Sequence, residues 1–341
     1  MSGRLTVLQS FPAPRPTTNP YLVQLARSLP DDMDVTFFTW RAALLGRWDV
    51  LHLHWPENLL GARTPARRTA RRALVLALVL RLAATGRPVV RTLHNLRPHE
   101  PPGRLDAVLL CALESRTVHR VRLNARTPVP AGAAATTVLH GHYLDVLVAR
   151  PGLSPKPGRM LHFGLLRAYK GVEDLLAAFA GVSDLSGSLH VVGAVHPHAP
   201  VGLREALSVA AAADPRVHLT LRHVPDDELA AELAAARLVV LPYRDVHNTG
   251  AALLALSAGR PVLLPQVPVT EDLRDEVGPG WVRLYDGPLR ADDLARALAA
   301  DLPATPPDLS RRDWPEAGRV HREVYRSAIA TRQRRSRQRR R

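Results

Sequence analysis

The sequence predicts an α/β protein made of two doubly wound parallel sheets that face a central cleft. Short apolar runs rich in Val and Leu alternate with Ala- and Leu-rich helical stretches, which indicates strands covered by helices on both faces. The alternation occurs once in each half of the 341-residue chain, and a Pro- and Gly-rich stretch beginning at Pro151 separates the halves. A chain of this length accommodates two domains.

Most of the short apolar runs are predicted to be strands. In the first half they are LTVLQ from Leu5, DVTFF from Asp34, DVLHLHW from Asp49, PVVRTLHN from Pro88, VRLN from Val121 and TTVLH from Thr136. In the second half they are MLHFG from Met160, SLHVVG from Ser188, VHLTL from Val217, RLVVLPY from Arg237 and RPVLLP from Arg260. Helical candidates such as DDELAAELAAA lie between them, and carboxylates at that helix start suit the positive end of the helix dipole.

These elements divide the chain into five segments. Residues 1–150 form a first Rossmann-like domain, 151–158 a linker, 159–305 a second Rossmann-like domain, 306–331 C-terminal helices that return to the first domain, and 332–341 a basic disordered tail. Ligand sites of such sheets lie at the carboxyl ends of the strands, so we expect both domains to place their sites at the shared cleft.

The chain is strongly basic. Its formal net charge is +15, and Lys156 and Lys170 are its only lysines, so arginine supplies the rest of the positive charge. This excess predicts anionic partners such as phosphates, phospholipid headgroups or nucleic acid. No nucleic-acid-binding motif is present and aromatic residues do not interleave with the basic runs, so we expect no nucleic-acid partner.

The single cysteine, Cys111, excludes an internal disulfide and fits a reducing compartment. Its apolar surroundings predict a buried side chain. The N-terminus lacks the long apolar region of a signal peptide, and the most apolar run, from Ala73, is broken by Arg81 and is too short to span a bilayer. We therefore expect a cytoplasmic protein.

A basic segment precedes that apolar run and predicts attachment to a membrane surface. Arginines at five positions between Arg63 and Arg72 would begin a helix whose body is apolar, a form that lies on anionic bilayers. The alternative is a helix whose apolar side is core and whose arginines are only solvated. The C-terminal arginine tail would add about 1 kcal/mol of attraction per residue near such a surface. We expect a peripheral protein on the inner face of the plasma membrane.

The segment from Phe163 to Gly171, FGLLRAYKG, carries the most informative chemistry. A strand ends at Phe163, a glycine follows, and a helix begins near Gly171. Backbone N–H groups at a helix start, with Arg167 and Lys170 beside them, form an anion site suited to a diphosphate. The alternative is a solvated basic loop.

This segment resembles the phosphate-binding segment of GT-B glycosyltransferases of family 4, in the variant FGxIRPYKG. The resemblance continues through VVG, VPDDEL from Val224, LVVLPYRD and GRPVLLP, and covers roughly residues 160–285. In the first half, LHLHWPE, RTLHNLRPHE and VLHGHY resemble β-mannosyltransferase-like and bacterial exopolysaccharide enzymes. The resemblance implies a GT-B glycosyltransferase with a nucleotide-diphosphate sugar as substrate. No cofactor is expected.

The chain departs from the family pattern at two carboxylates. The family has two glutamates eight positions apart, and Val246 and Leu254 stand at the matching positions. Asn248, Thr249 and Gly250 instead open a helix whose N–H groups predict a second site for the donor diphosphate.

The nucleotide and its sugar remain open at this point. The subgroup resemblance favours GDP-mannose, and nothing in the spacing excludes a UDP-sugar. Six further residues are predicted to contact the nucleotide or sugar, with base contacts from the backbone of the last three: Gly164, Tyr243, Asp245, His223, Val224 and Pro225.

Polar residues at strand ends of the first domain predict the acceptor site, for a lipid-linked or glycan acceptor. An inverting reaction requires a base for the acceptor hydroxyl, and the candidates are His94, Glu57 and Glu100, in that order. A retaining reaction requires no separate protein base, and the sequence does not decide between the two. Further acceptor-side candidates are His54, Asn95, His140 and His142. No local spacing matches a metal motif, so no metal is expected.

Two other classes of protein share these features. A different enzyme on the same fold, such as an epimerase or a phosphorylase, is one, although a phosphorylase needs a cofactor lysine and this chain has only two lysines. A non-catalytic partner in a polysaccharide assembly complex is the other, because the family glutamates are missing. Release of GDP or UDP from a sugar nucleotide separates these classes from a glycosyltransferase.

Overall fold

The structure is a computed structural model that describes residues 4–15, 17–95, 101–146, 154–183, 187–248 and 250–338, with side chains to residue 334. The chain divides into two compact units. Unit 1 comprises Met1–Gly141 with Arg312–Arg341, and unit 2 comprises His142–Arg311. Each unit contains one six-stranded parallel sheet, so the predicted α/β class is confirmed.

The first division falls at Gly141, earlier than the boundary at residue 150 that the composition suggested. Tyr143 is buried in a core of unit 2. Its backbone N–H donates to Ser257 Oγ at 2.9 Å, which ties this segment to the second unit before the Pro-rich stretch begins.

The sheet of unit 1 has the strand order β2-β1-β3-β4-β5-β6. Its strands are β1 (Leu5–Gln9), β2 (Met33–Phe37), β3 (Val50–His54), β4 (Val89–Leu93), β5 (Thr117–Arg122) and β6 (Ala135–Thr137), and the helices between them are α1 (Pro20–Ser28), α2 (Trp40–Leu45), α3 (Pro65–Thr85) and α4 (Arg104–Glu114). Strand order reverses between β1 and β3, which is where such sheets open a crevice for ligands.

The ends of α3 show how sequence sets these boundaries. Thr64 accepts a hydrogen bond from the Arg67 backbone N–H, and Pro65 occupies the first helical position, where a missing N–H costs nothing. Gly86 ends the helix in the left-handed conformation at φ 60°.

The sheet of unit 2 has the strand order β12-β11-β10-β7-β8-β9. Its strands are β7 (Arg159–Phe163), β8 (Ser188–Val192), β9 (Val217–Thr220), β10 (Leu238–Val240), β11 (Val262–Pro265) and β12 (Val282–Tyr285), and its helices are α5 (Val172–Ala180), α6 (Leu203–Ala213), α7 (Asp226–Ala235), α8 (Gly250–Ser257), α9 (Pro268–Val277) and α10 (Ala291–Ala299). Strand order reverses between β7 and β10.

The prediction of a disordered tail from residue 332 is wrong over its first part. Helix α11 runs unbroken from Trp314 to Gln338. Buried residues at helical spacing dock its first half onto unit 1, among them Trp314, Tyr325 and Ala328. No Gly or Pro follows Gly318, and arginine is a good helix former, so a helix nucleated by packing continues into the basic sequence.

Two further expectations fail. Cys111 is exposed, because α4 turns its other side, including Leu113, toward the core. Strand β12 was missed, because the short segment VRLY follows Gly278-Pro279-Gly280 and resembles a loop. Among the described residues, no helix is both long and apolar enough to cross a membrane.

Candidate active site

The FGLLRAYKG segment begins at the carboxyl end of β7, beside the strand-order reversal of unit 2. Gly164 has φ 102°, and a Cβ there would lie 2.8 Å from Lys170 Nζ, so only glycine leaves room for the lysine to fold back. A short 3-10 turn over Ala168–Lys170 then leads to Gly171 and α5. The backbone thus wraps around the lysine ammonium.

The Lys170 ammonium is held inside this turn with only 6% of its surface exposed. Nζ lies 3.5 Å from the Phe163 carbonyl oxygen and 5.4 Å from the centre of the Tyr243 ring. Burial, reinforced by the positive charge of Arg167, lowers the pKa of Lys170 to about 8, so the amine stays mostly protonated at pH 7. Within the described ranges no carboxylate forms a salt bridge with it. A buried cation without a counter-charge favours an anionic ligand.

Arg167 lies beside this turn. Its Nη2 donates toward His196 Nε2 at 3.0 Å, because a guanidinium has no acceptor. A planar guanidinium suits two phosphate oxygens, and its neighbour Lys170 supplies a compact charge. The two cations predicted from the sequence are therefore adjacent in the structure.

The loop after β10 is fixed against this segment. Arg244 forms a two-pronged ion pair with Asp174 at 2.7 and 2.8 Å, and its backbone N–H donates to the Tyr169 carbonyl at 2.8 Å. A Cβ on Gly171 would lie 2.2 Å from the Pro242 carbonyl oxygen, so the two chains are in close contact. These contacts lead the chain from the lysine turn to the start of α8.

Helix α8 begins at Gly250, as the sequence predicted, and Asn248 is half-buried just before it. Thr249 lies outside the described residues. Val246 and Leu254, which replace the family glutamates, pack against the apolar core of unit 2. Their surroundings are therefore apolar.

The other predicted nucleotide or sugar contacts differ in exposure. Tyr243 is buried against Lys170, so it supports the lysine and presents little surface of its own. Asp245, His223 and Pro225 are exposed, and Val224 packs partly on the core. His223, Val224 and Pro225 lie between β9 and α7, at the carboxyl end of the sheet.

In unit 1, buried imidazoles gather at the carboxyl ends of the central strands. We call them the histidine cluster: His52, His54, His94, His140 and His321. His54 and His94 are in hydrogen-bond contact at 2.9 Å, and the Tyr21 ring packs against both His94 and His140. Three of the predicted strand-end histidines therefore meet.

Burial is the main cause of the electrostatics of this cluster. It lowers the pKa of His52, His54 and His94 well below 6.5, and the neighbouring imidazoles add to the effect. The pKa values of His140 and His321 fall to about 4 for the same reason. The imidazoles of the cluster are accordingly neutral at pH 7.

The remaining acceptor-side candidates do not join the cluster. Asn95 is half-buried beside His94, and Glu57 is half-buried in a 3-10 turn over Pro56–Leu59. Glu100 lies outside the described residues. His142 belongs to unit 2, where its Nδ1 accepts the Leu144 backbone N–H at 3.3 Å.

Sequence reasoning missed the partners that hold the cluster. Gln9, the last residue of β1, contacts His54, while Tyr325 of α11 contacts His52 Nδ1 at 2.7 Å. His321 stands one helical turn before Tyr325. Gln9 is a polar residue at the end of the apolar strand LTVLQ, and this position could have marked it as a site residue. The i, i+4 spacing of His321 and Tyr325 could have shown that both lie on one side of α11. Within the described ranges, no group of three or more His, Cys, Asp or Glu residues is arranged to hold a metal ion.

A second surface of unit 1 joins α3 and α4, which an ion pair between Arg72 and Asp106 links at 2.7 Å. One side of α3 is core, through residues such as Leu78 and Leu82. Its other side and α4 expose large apolar groups beside the arginines of the α3 N-terminal half. We call this the α3–α4 face, and its exposed apolar residues are Leu76, Leu80, Leu105 and Val108.

Comparison with known proteins agrees with the fold. Residues 157–302 match the family model described as glycosyl transferases group 1. The chain is 46% identical over 329 residues, 96% of its length and 93% of the relative, to the GDP-mannose:glycolipid 4-beta-D-mannosyltransferase of Xanthomonas campestris pv. campestris. The chain therefore belongs to the group 1 glycosyltransferases, and it is a transferase enzyme.

Solved structures show the same fold at low sequence identity. The structure of Anabaena HepE in complex with UDP-glucose superposes with a TM-score of 0.61 and 15% identity, covering 96% of this chain and 98% of that one. AviGT4, a glycosyltransferase involved in avilamycin A biosynthesis, superposes with a TM-score of 0.60 and 16% identity, covering 95% and 98%. The fold is GT-B.

Proposed function

We propose that this glycosyltransferase transfers mannose from GDP-mannose to a glycolipid acceptor and forms a β-linkage. The observation that carries the donor half of the proposal is the buried ammonium of Lys170, which has no carboxylate partner among the described residues. The printed activity of the Xanthomonas relative, 46% identical over nearly the whole chain, supports the choice of GDP-mannose and of a glycolipid.

The chemistry of the donor gives the positive groups of the site a role in the reaction. When the bond from mannose to phosphate breaks, negative charge grows on the departing diphosphate, and preorganised positive groups stabilise that charge. Arg167, Lys170 and the N-terminus of α8 would supply it. We infer that these groups do the work of a metal ion, and activity should persist in excess EDTA.

The donor is tested with the two lysines of the chain. Lys170→Met should lower kcat/KM for GDP-mannose roughly ten- to a hundredfold, the effect of losing a charged hydrogen bond to phosphate. Lys156→Met is the matched control, because Lys156 is exposed and should leave activity unchanged. Full activity of Lys170→Met would remove the phosphate assignment.

The identity of the nucleotide needs a separate measurement. Thermal shifts with GDP, UDP, ADP and their sugars should show the largest stabilisation with GDP-mannose. A larger shift with a UDP-sugar would select the second candidate, a UDP-sugar-dependent enzyme. Absence of GDP or UDP release from every sugar nucleotide would contradict the proposed donor class.

GDP-mannose is an α-linked donor, so a β-product requires inversion and a base for the acceptor hydroxyl. We propose His94 as that base. It follows β4 directly, is neutral at pH 7, and lies at the carboxyl end of the sheet, the edge where sheets of this type bind ligands. NMR of the product decides the linkage, and His94→Gln should lower kcat about a hundredfold or more.

We further propose that the enzyme works on an anionic membrane at the inner face of the plasma membrane, docked through the α3–α4 face. Exposed apolar side chains next to arginines suit the boundary of headgroups and acyl chains. Vesicles with anionic lipid should bind wild type, and more strongly at low salt. Val108→Asp should weaken this binding, whereas Val209→Asp, a similarly exposed valine on α6, should not (65% and 69% exposed). Equal effects of both substitutions would refute this docking surface.

A further inference from the structure

Gln9, His54 and His94 form a continuous hydrogen-bonded string across three adjacent strands. Gln9 ends β1, His54 ends β3 and His94 follows β4. His54 Nε2 lies 3.1 Å from Gln9 Oε1, and His54 Nδ1 lies 2.9 Å from His94 Nε2. The string begins where the strand order of the sheet reverses, and no more than 7% of any of its three residues is exposed.

The direction of the string follows from its first member. An amide oxygen only accepts, so His54 Nε2 donates to Gln9 Oε1. His54 is neutral and has one ring proton, so its Nδ1 must accept, and His94 Nε2 donates to it. His94 is neutral too, so its Nδ1 carries the lone pair.

Contacts with neighbouring residues fix where His54 and His94 lie. The His54 backbone N–H donates to Ser10 Oγ at 2.7 Å, and the Ser10 hydroxyl donates back to the His54 carbonyl at 3.2 Å. Trp55 stacks on the His94 ring, with centres 3.7 Å apart and planes 17° apart. Trp55 does so from the left-handed region at φ 44°, a backbone conformation that tryptophan rarely adopts.

We propose that Gln9 and His54 are positioning residues that hold His94 in the Nδ1-acceptor tautomer required of a base. This inference rests on the proposed role of His94. In this proposal Gln9 acts on the acceptor side of the reaction, whereas the FGLLRAYKG segment acts on the donor side. A buried amide at the end of an apolar strand, aimed at an imidazole, is what such a role requires.

The test reads the tautomer directly, without activity. Full-length protein labelled with 15N-histidine is examined by long-range 1H–15N correlation at pH 7.5, with His94 assigned by loss of its signals in His94→Gln. Wild type should show a protonated Nε2 and an unprotonated Nδ1 on His94. A protonated Nδ1 on His94 in the wild-type protein overturns the proposal.

Two variants then isolate the role of Gln9. Gln9→Met removes the acceptor at similar size and should give a mixture of His94 tautomers. It should also lower kcat about three- to tenfold, the effect of one neutral hydrogen bond, with KM for GDP-mannose unchanged. Thr92→Val is the matched control, because Thr92 Oγ1 contacts His52 Nε2 at 2.8 Å and His52 is linked to Gln9 indirectly, through Tyr325.

The outcomes separate this inference from the proposed function. An unchanged His94 tautomer in Gln9→Met overturns the string, whatever the activity. An altered tautomer in Gln9→Met and not in Thr92→Val supports it. Full activity of His94→Gln would show that His94 is not the catalytic base. The tautomer measurement would still test whether Gln9 and His54 set the tautomer of His94.

Discussion

Acidification from pH 7 to pH 5 should destabilise unit 1, because its core holds buried neutral imidazoles. Burial lowers the pKa of His140 and His321 from 6.5 to about 4. Between pH 6.5 and pH 4, these two imidazoles are therefore protonated in the unfolded chain and neutral in the folded chain. The stability from these groups is complete above pH 6.5 and is lost as the pH falls toward 4.

The magnitude follows from these two values. At pH 5, each such histidine costs about 2 kcal/mol of unfolding free energy, so His140 and His321 together cost about 4 kcal/mol. The lowered pKa values of His52, His54 and His94 act in the same direction. A loss of this size is a large part of the roughly 5–15 kcal/mol that stabilises a typical domain.

Urea unfolding at pH 7 and pH 5 measures the effect. Four of the five tryptophans lie in unit 1, so tryptophan fluorescence reports mainly on that unit. His321→Leu should reduce the pH-dependent loss by about 2 kcal/mol. At pH 7 it should cost only about 1 kcal/mol, because the bond from His321 Nδ1 to the Ala317 carbonyl oxygen is lost while Nε2 has no partner in the described structure. The exposed His223→Leu is the control, and an undiminished loss in His321→Leu would refute the reasoning.

Three further predictions concern unit 2. Gly171→Ala should destabilise unit 2 by more than about 2 kcal/mol in urea unfolding, since its Cβ would overlap the Pro242 carbonyl oxygen at φ 61°. Gly259→Ala has a similar φ of 66° with open space around it and should cost only about 1 kcal/mol; equal costs would contradict the close contact. Leu254→Glu should lower the thermal midpoint without raising activity, because Leu254 packs on an apolar core; a gain in turnover would show that the missing carboxylate limits the enzyme. Activity in EDTA should equal that in Mg²⁺, and a loss restored by added metal would contradict a metal-free donor site.

The geometry of the proposed donor site was largely predictable. The strand, glycine and basic turn of FGLLRAYKG are consecutive in the chain, so local spacing places Arg167 and Lys170 together. The sequence did not show that Lys170 is buried against Tyr243, because that contact joins the ends of two different strands. Burial is what turns a basic loop into a site that favours an anion.

The proposed acceptor site was predicted as a set of candidates, and the structure shows which of them lie together. His54, His94 and His140 meet, whereas His142 belongs to unit 2. Nothing in the apolar stretch around Cys111 revealed that one side of α4 is exposed. Exposure depends on which neighbours a helix packs against, and helical periodicity alone does not name them.

By itself, the sequence determined the two parallel sheets, the turn that contains Lys170 and the absence of the family glutamates. All three depend on residues that are close together in the chain, because the length of an apolar run and the residues of a turn determine local structure. The tertiary structure alone decided that Gln9, His54 and His94 form one hydrogen-bonded string. Residues that far apart in sequence meet only through strand order and register, which are properties of the whole sheet.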